Sequence, residues 1–254
     1  MFVMTWSNRR KLFILTGIFL FLAVLVALPV FLVTYQAPSC FDKKQNQSEG
    51  GVDCGGQCTL LCETTIAKPK VLWVRSFRVS KGIYNAVVYV ENPNLDSGAS
   101  VAPYTIYLRD ANSQIVERKG TTFITPGKTF AIFETGIKTG ERVPLKTEFD
   151  FAEGIAWTKN IQREPVLTFE NMELTSEDKH PRLTAGIKNG SLLSVNNIEV
   201  VAVMYDAGDN AIASSRTTVD SVGPESSEQI VFTWPEPFSS IAVRQELLYR
   251  LITH

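Results

Sequence analysis

Histidine is nearly missing from this chain: two in 254 residues, His180 in a polar loop before Pro181 and His254 at the C-terminus. With so few, neither a Ser-His-Asp nor a Cys-His arrangement nor a histidine metal cage is expected. The sequence also lacks a G-x-S-x-G elbow, a phosphate-binding loop and a G-x-G-x-x-G fingerprint. Charge of one sign is missing too. The 25 basic and 26 acidic residues leave a net charge of -1, so no global field draws the chain to nucleic acid. Cysteine is absent outside residues 40–62, where all four lie.

What is present begins with a long apolar run. Leu12 to Val33 offers 22 consecutive uncharged positions, and a helix of that length, at about 1.5 Å per residue, spans a hydrocarbon core of roughly 30 Å. Arg9, Arg10 and Lys11 precede it, and positive flanks stay cytoplasmic, which puts the C-terminal bulk outside. Lys43 and Lys44 on the far side weaken that bias. A cleaved signal peptide would have a shorter apolar region of about 7 to 15 residues and a small-x-small site; this run ends in Val33-Thr34-Tyr35-Gln36. A lipid anchor on Cys40 is disfavoured by Pro38. The reading is a cytoplasmic segment 1–11, a transmembrane helix 12–34, and an extracytoplasmic remainder at the cell membrane.

Cys40, Cys54, Cys58 and Cys62 lie in a polar, Gly-rich stretch, residues 35–65, too poor in apolar residues for a core of its own. Four cysteines in that setting, outside a membrane, argue for two disulfides, with three pairings open. A four-thiolate zinc site is the rival, but C-x2-C knuckles are its usual spacing. Asp42, Asn46, Glu49 and Asp53 offer hard oxygens that could hold calcium; the alternative is that they form turns around the cysteines, with Gly50, Gly51, Gly55 and Gly56 supplying positive φ. These residues resemble the motif C-x-D-G-x2-N-x2-E-x3-D-C-G-G-x-C-x2-C of secreted and surface bacterial proteins, matched here at Cys40, Asp42, Asn46, Glu49, Asp53, Cys54, Gly55, Gly56, Cys58 and Cys62. Two departures stand out: Lys43 replaces the usual Gly, and the last gap holds three residues. The resemblance implies an extracytoplasmic location more than any activity.

From Ile66 onward short runs alternate apolar and polar residues between turn signals, as half-buried antiparallel strands do. Examples are Tyr84–Asn92, Tyr104–Asp110, Lys128–Thr135, Arg182–Asn189, Ile198–Asp206 and Ser227–Trp234. The final AVRQELLYRLITH is read as a last strand. Three landmarks repeat in order: Val90-Glu91-Asn92-Pro93 with Ile187-Lys188-Asn189-Gly190, Ile106 to Ala111 with Ala202 to Ala207, and Thr125-Pro126-Gly127 with Gly223-Pro224-Glu225, at offsets of 97, 96 and 98 residues. A tandem duplication follows, with domains 66–162 and 163–254, a boundary near Gln162 to Pro165, and the two expected end to end. Each repeat resembles the FxLYD-type module related to the late-embryogenesis-abundant type 2 domain. The second carries the pattern in Lys188-Asn189-Gly190, Met204-Tyr205-Asp206, Asp209-Asn210, Thr217-Thr218, Gly223-Pro224 and Ile230-Val231-Phe232; the first has Arg109 where Tyr is expected. The resemblance implies two tandem immunoglobulin-like β-sandwiches.

Glu148, Asp150 and Glu153 are carboxylates in a strand-like stretch, where the solvent face of a sheet accounts for them better than glycosidase chemistry. Trp73, Tyr84, Tyr89, Tyr104, Tyr107, Trp157 and Trp234 serve cores, or offer stacking platforms for sugars or partners. Trp234-Pro235-Glu236-Pro237-Phe238 is a stiff connection that can also present an apolar patch. The reading is a mainly β, non-catalytic, single-pass membrane protein whose sandwiches bind or scaffold a protein or envelope partner, with no nucleic-acid role. The alternatives are a structural subunit of an envelope complex and a calcium- or carbohydrate-binding surface receptor.

Overall fold

The first element is a helix because its long uncharged apolar run outweighs the interior Gly17 and Pro29. The computed structural model of the chain describes residues 6–34, 39–46, 48–111, 113–159 and 165–252. Helix α1 runs Trp6–Thr34 and carries Pro29 inside it. From Arg9 to Leu32 it is long and apolar enough to cross a membrane, and none of that stretch is buried. Apolar residues cover every side, so the helix has no face that belongs against a soluble core. Within it, Thr16 Oγ1 donates to Leu12 O at 2.8 Å. At its start the Arg10 guanidinium lies 4.2 Å over the Trp6 ring.

The chain divides after Asp53 into two compact units. The second contains thirteen strands among its described residues. They are β1 Lys70–Ser80, β2 Ile83–Glu91, β3 Ser97–Arg109, β4 Gln114–Ile124, β5 Thr129–Lys138, β6 Lys146–Phe151, β7 Thr158–Lys159, β8 Leu167–Thr175, β9 Arg182–Asn189, β10 Val195–Tyr205, β11 Ala211–Val222, β12 Ser227–Thr233 and β13 Arg244–Leu251. All pairings are antiparallel. Sheets β1-β2-β5 and β4-β3-β6, the latter with β7 on β3, form a first sandwich; β8-β9-β12 and β11-β10-β13 form a second. The strand order is the same in both, as a duplication requires, and the last stretch is the expected strand. The boundary residues Gln162, Arg163 and Glu164 lie outside the described residues.

Within each sandwich alternate residues turn inward. Val88, Val90, Ile106, Leu108, Phe130 and Ile132 are buried in the first core. Leu183, Ile187, Val200, Met204, Ile230 and Phe232 are buried in the second. The landmarks of the duplication are structural latches. Asn92, 1 % exposed, donates from Nδ2 to Ser97 O and Thr125 O at 2.8 and 2.9 Å. Asn189, fully buried, donates likewise to Leu193 O, Val222 O and Gly223 O. Each ties together the backbone carbonyls at its turn through a buried amide. Gly127 and Glu225 both adopt positive φ, 55° and 48°, and their amides donate to Asn94 O and Ser191 O respectively.

The expectation that the sandwiches stand end to end is wrong. A third buried cluster, Phe77, Val87, Ala131 and Phe133 of the first sandwich with Val201, Val203, Tyr205 and Ala211 of the second, joins them. Sheet β1-β2-β5 therefore packs against sheet β11-β10-β13. The physical reason lies in β10, whose residues Ile198–Tyr205 are all buried. Such a strand has no solvent face and must be covered on both sides.

Candidate functional site

Three places hold the residues that the sequence singles out: the cysteine segment, the contact between the sandwiches, and the cleft beside it. In the first unit, the acidic residues bind their own backbone. Asp42 Oδ1 accepts from Lys44 N at 2.9 Å, and Oδ2 accepts from Asn46 Nδ2 at 2.8 Å and Ser39 N at 3.3 Å. Burial opposes the charge of Asp42, but these hydrogen bonds hold its carboxyl below the ordinary aspartate value. Glu49 Oε2 accepts from Asn46 N at 3.0 Å. Both oxygens of Asp53 accept from Lys43 N, at 3.1 and 3.0 Å. Asp42, Glu49 and Asp53 do not come together as a three-carboxylate group among the described residues. Lys43 itself sits at φ 58°, a backbone conformation that glycine adopts at least cost.

None of the four cysteines is free. Cys54 and Cys62 form one disulfide, with Cα atoms 5.1 Å apart. Cys58 and Cys62 are buried. This loop is pinned to the first sandwich by an antiparallel bridge from Leu60 to Thr158, by Leu61 N donating to Trp157 O at 2.8 Å, and by packing of Leu61 and Ile66 on the first core. Trp157, 5 % exposed, is thus a core residue beneath the cysteine loop.

Between the sandwiches lies an ionic network that sequence reading missed. Glu199 on β10 and Arg250 on β13 are an ion pair, 8 % and 7 % exposed at their side chains, with Arg250 Nε 3.1 Å from Glu199 Oε1. Arg216 supplies a second cation at 3.2 Å. Arg250 also crosses to the first sandwich: it donates to Thr122 Oγ1 at 2.8 Å and Phe123 O at 3.3 Å, and lies over the rings of Phe123 and Phe130. Tyr89 of β2 donates to Glu246 of β13 and stacks on Trp73 with centroids 5.2 Å apart. Arg244 covers the Tyr205 ring at 3.7 Å and pairs with Asp209 at 2.6 Å and Glu246 at 3.2 Å. Burial pushes the Tyr205 hydroxyl up to about 12. Burial, then its bond to Glu246, pushes Tyr89 higher still. The signal that could have found this surface is the unbroken run Val200-Val201-Ala202-Val203-Met204-Tyr205, which is too apolar for a strand with one wet face.

Beside the contact a cleft of about 950 Å³ is lined by residues including Arg75, Arg78, Lys146, Asp206, Trp234 and Glu236, with no histidine or cysteine among them. Its charges are engaged. Arg78 faces Glu236 at 3.5 Å, Arg75 donates to Ala211 O at 3.0 Å, and Lys146 pairs with Glu148 at 2.7 Å. Trp234 is buried, donates from Nε1 to Ser214 O at 3.1 Å, and meets Phe238 edge-on at 5.1 Å. That run closes the second core and does not offer its rings to solvent. Tyr84 and Tyr104 are buried in the first core, and Tyr107 is half-buried under Arg109. Glu148 is held below the ordinary glutamate value by Lys146 and Arg109, and Asp150 and Glu153 are exposed. Asp150 and Glu153 both line a second cleft, of about 590 Å³, with Glu63, Lys68 and Trp157. His180 Nδ1 lies 2.9 Å from Pro235 O on the surface, and His254 lies outside the described residues. No protein-family model matches the chain, and no curated protein is significantly similar to it.

Proposed function

We propose that this is a single-pass membrane-anchored protein whose stacked β-sandwiches face the extracytoplasmic space as a rigid, non-catalytic binding or scaffolding module. The observation that carries the reading is the combination of a spanning-length apolar helix with disulfide-bonded cysteines C-terminal to it. Disulfides persist in oxidising compartments, so the cysteine side of the helix belongs outside. Its basic N-terminal flank agrees with that orientation. The FxLYD-type and immunoglobulin-like assignment of each repeat belongs to this proposal, and the shared strand order supports it. A binding role in place of catalysis draws on a cleft with neither histidine nor cysteine in its lining, whose Arg78 and Lys146 are held in ion pairs.

The test is thiol counting on the full chain purified from membranes, with metal analysis and the mass of the mature N-terminus. No free thiol, no zinc and an intact N-terminus are expected. Four free thiols with stoichiometric zinc would reverse the orientation, and cleavage after the helix would make the protein secreted instead of anchored.

A further inference from the structure

Loop tips of β-sandwiches are ordinarily polar, because they are the most solvated backbone in the fold. Six large hydrophobic residues of the second unit are more than 70 % exposed among the described residues: Leu95 85 %, Leu145 72 %, Val166 71 %, Leu192 77 %, Leu193 77 % and Ile241 78 %. Four of them, Leu95, Val166, Leu192 and Leu193, sit at one end of the stacked pair. Leu95 follows the first Asn latch and Leu192-Leu193 the second, so the two repeats place leucine at the same turn.

Contacts between the sandwiches fix these tips on a common end. Leu95 lies against Gly127, where an added Cβ would meet its Cα at 3.1 Å. The next residue, Lys128, reaches Tyr249 of the second sandwich, its Nζ 4.4 Å over the ring and 3.3 Å from the hydroxyl. The same hydroxyl donates to Pro165 O at 3.1 Å and accepts from Leu167 N at 3.3 Å, which brackets Val166. Leu167 pairs with Asn189, at the base of the Leu192-Leu193 turn.

The chain also joins the sandwiches at this end. Ala67 exchanges hydrogen bonds with the side chain of Asn94, the neighbour of Leu95, at 3.0 and 2.7 Å. The segment before it is fastened by the Cys54–Cys62 disulfide and the Leu60–Thr158 bridge. Upstream, residues 35–53 are all that separate α1 from Cys54, a tether of at most about 65 Å when fully extended. A surface carried on so short a tether meets the bilayer at high effective concentration, so that a few inserted side chains suffice to hold it there. Scattered single hydrophobics need no explanation; a set repeated at homologous turns, on the end where the tether joins, does.

We infer that this end is a membrane-contacting surface: Leu95, Val166, Leu192 and Leu193 enter the interfacial region of the lipid bilayer in which α1 is anchored. The inference rests on the anchoring proposed above. Its occupant is a lipid surface and requires no particular headgroup.

The test uses the full chain with Trp6→Phe, reconstituted in phosphatidylcholine bilayers with and without brominated acyl chains. Leu95→Trp and Leu192→Trp are introduced one at a time. Both positions are exposed, so folding is preserved, and Trp73, Trp157 and Trp234 provide an internal reference. Emission from each added tryptophan is expected to shift to the blue and to be lost in the brominated bilayers, with Leu145→Trp at the opposite end unaffected. Equal emission in both bilayers would overturn the inference. A blue shift that grows with protein density without bromine quenching would assign the surface to a second copy of the chain and also overturn it. Release of the chain from membranes by alkaline carbonate would instead show that the anchoring itself is absent, a failure distinguishable from either.

Discussion

Single residues at the turns hold this fold together. Asn92 and Asn189 each fasten a turn through a buried amide, and truncation removes those bonds. Asn189→Ala is expected to lose about 2–3 kcal/mol in urea unfolding, on the scale of leaving buried polar groups unpaired. Glu225 adopts φ 48° where the first repeat has Gly127. Glu225→Gly relieves that conformation and is expected to raise stability by roughly 0.5–1 kcal/mol, read from the same midpoint. The tyrosines give a pH signature. Tyr205 is pushed up to about 12, and Tyr89 and Tyr104 are raised further. A folded value above the unfolded value of about 10 means stability that is complete below pH 10 and is lost as pH rises through the folded values. Absorbance near 295 nm should therefore show three of the seven tyrosines ionising only with alkaline unfolding, and Tyr89→Phe should weaken that alkaline limb.

At the scale of the element, β10 decides the architecture. Its Val201, Val203 and Tyr205 face the first sandwich, and at the 96-residue offset the first repeat has Thr105, Tyr107 and Arg109. Those three lie on the open face of β3, where Arg109 pairs with Glu148 at 2.6 Å. Arg109 departs from the repeat pattern because its face meets water, whereas Tyr205 is covered. The same logic runs through β2 and β9: Val87 and Tyr89 face the second sandwich, while Thr184 and Gly186 stand at the corresponding places on β9. The buried pair Glu199–Arg250 fixes the register of this contact. Arg250→Ala leaves Glu199 with only the more exposed Arg216 and is expected to cost about 3–5 kcal/mol, whereas replacing both partners by apolar residues should cost much less. A double-mutant cycle in urea measures both.

The second unit is built from two copies of one topology joined through unlike faces: β1-β2-β5 of the first against β11-β10-β13 of the second. A head-to-tail contact of this kind would propagate into filaments if every copy carried both apolar faces. Polar residues on the open face of β3 and on β9 end the stack at two. With so apolar a contact, the pair is expected to unfold as one cooperative unit. Val203→Lys, which places a charge in the covered face, should split the single calorimetric transition into two and enlarge the hydrodynamic radius, while leaving the strand content unchanged.

The long apolar helix, the disulfide segment, the strands and the repeat were legible in the sequence because each has a local signature: an uncharged run, cysteine spacing, period-two alternation and turn residues at a fixed offset. The carboxylates of the cysteine loop were legible as hydrogen-bonding groups, but not their partners, since Lys43 and Asp53 are ten positions apart. What only the tertiary structure decided is the stacking of the sandwiches, the Glu199–Arg250–Thr122 network and the gathering of Leu95, Val166, Leu192 and Leu193 on one end. The stacking and the network join residues far apart in the chain, Glu199 and Arg250 by 51 positions and Tyr89 and Glu246 by 157, and no periodicity along a chain records which outer face of a sheet will be covered by another. The unbroken apolar run of β10 announced that a cover must exist; which sheet supplies it depended on the match of Val87, Phe133 and Tyr89 to its shape and charge.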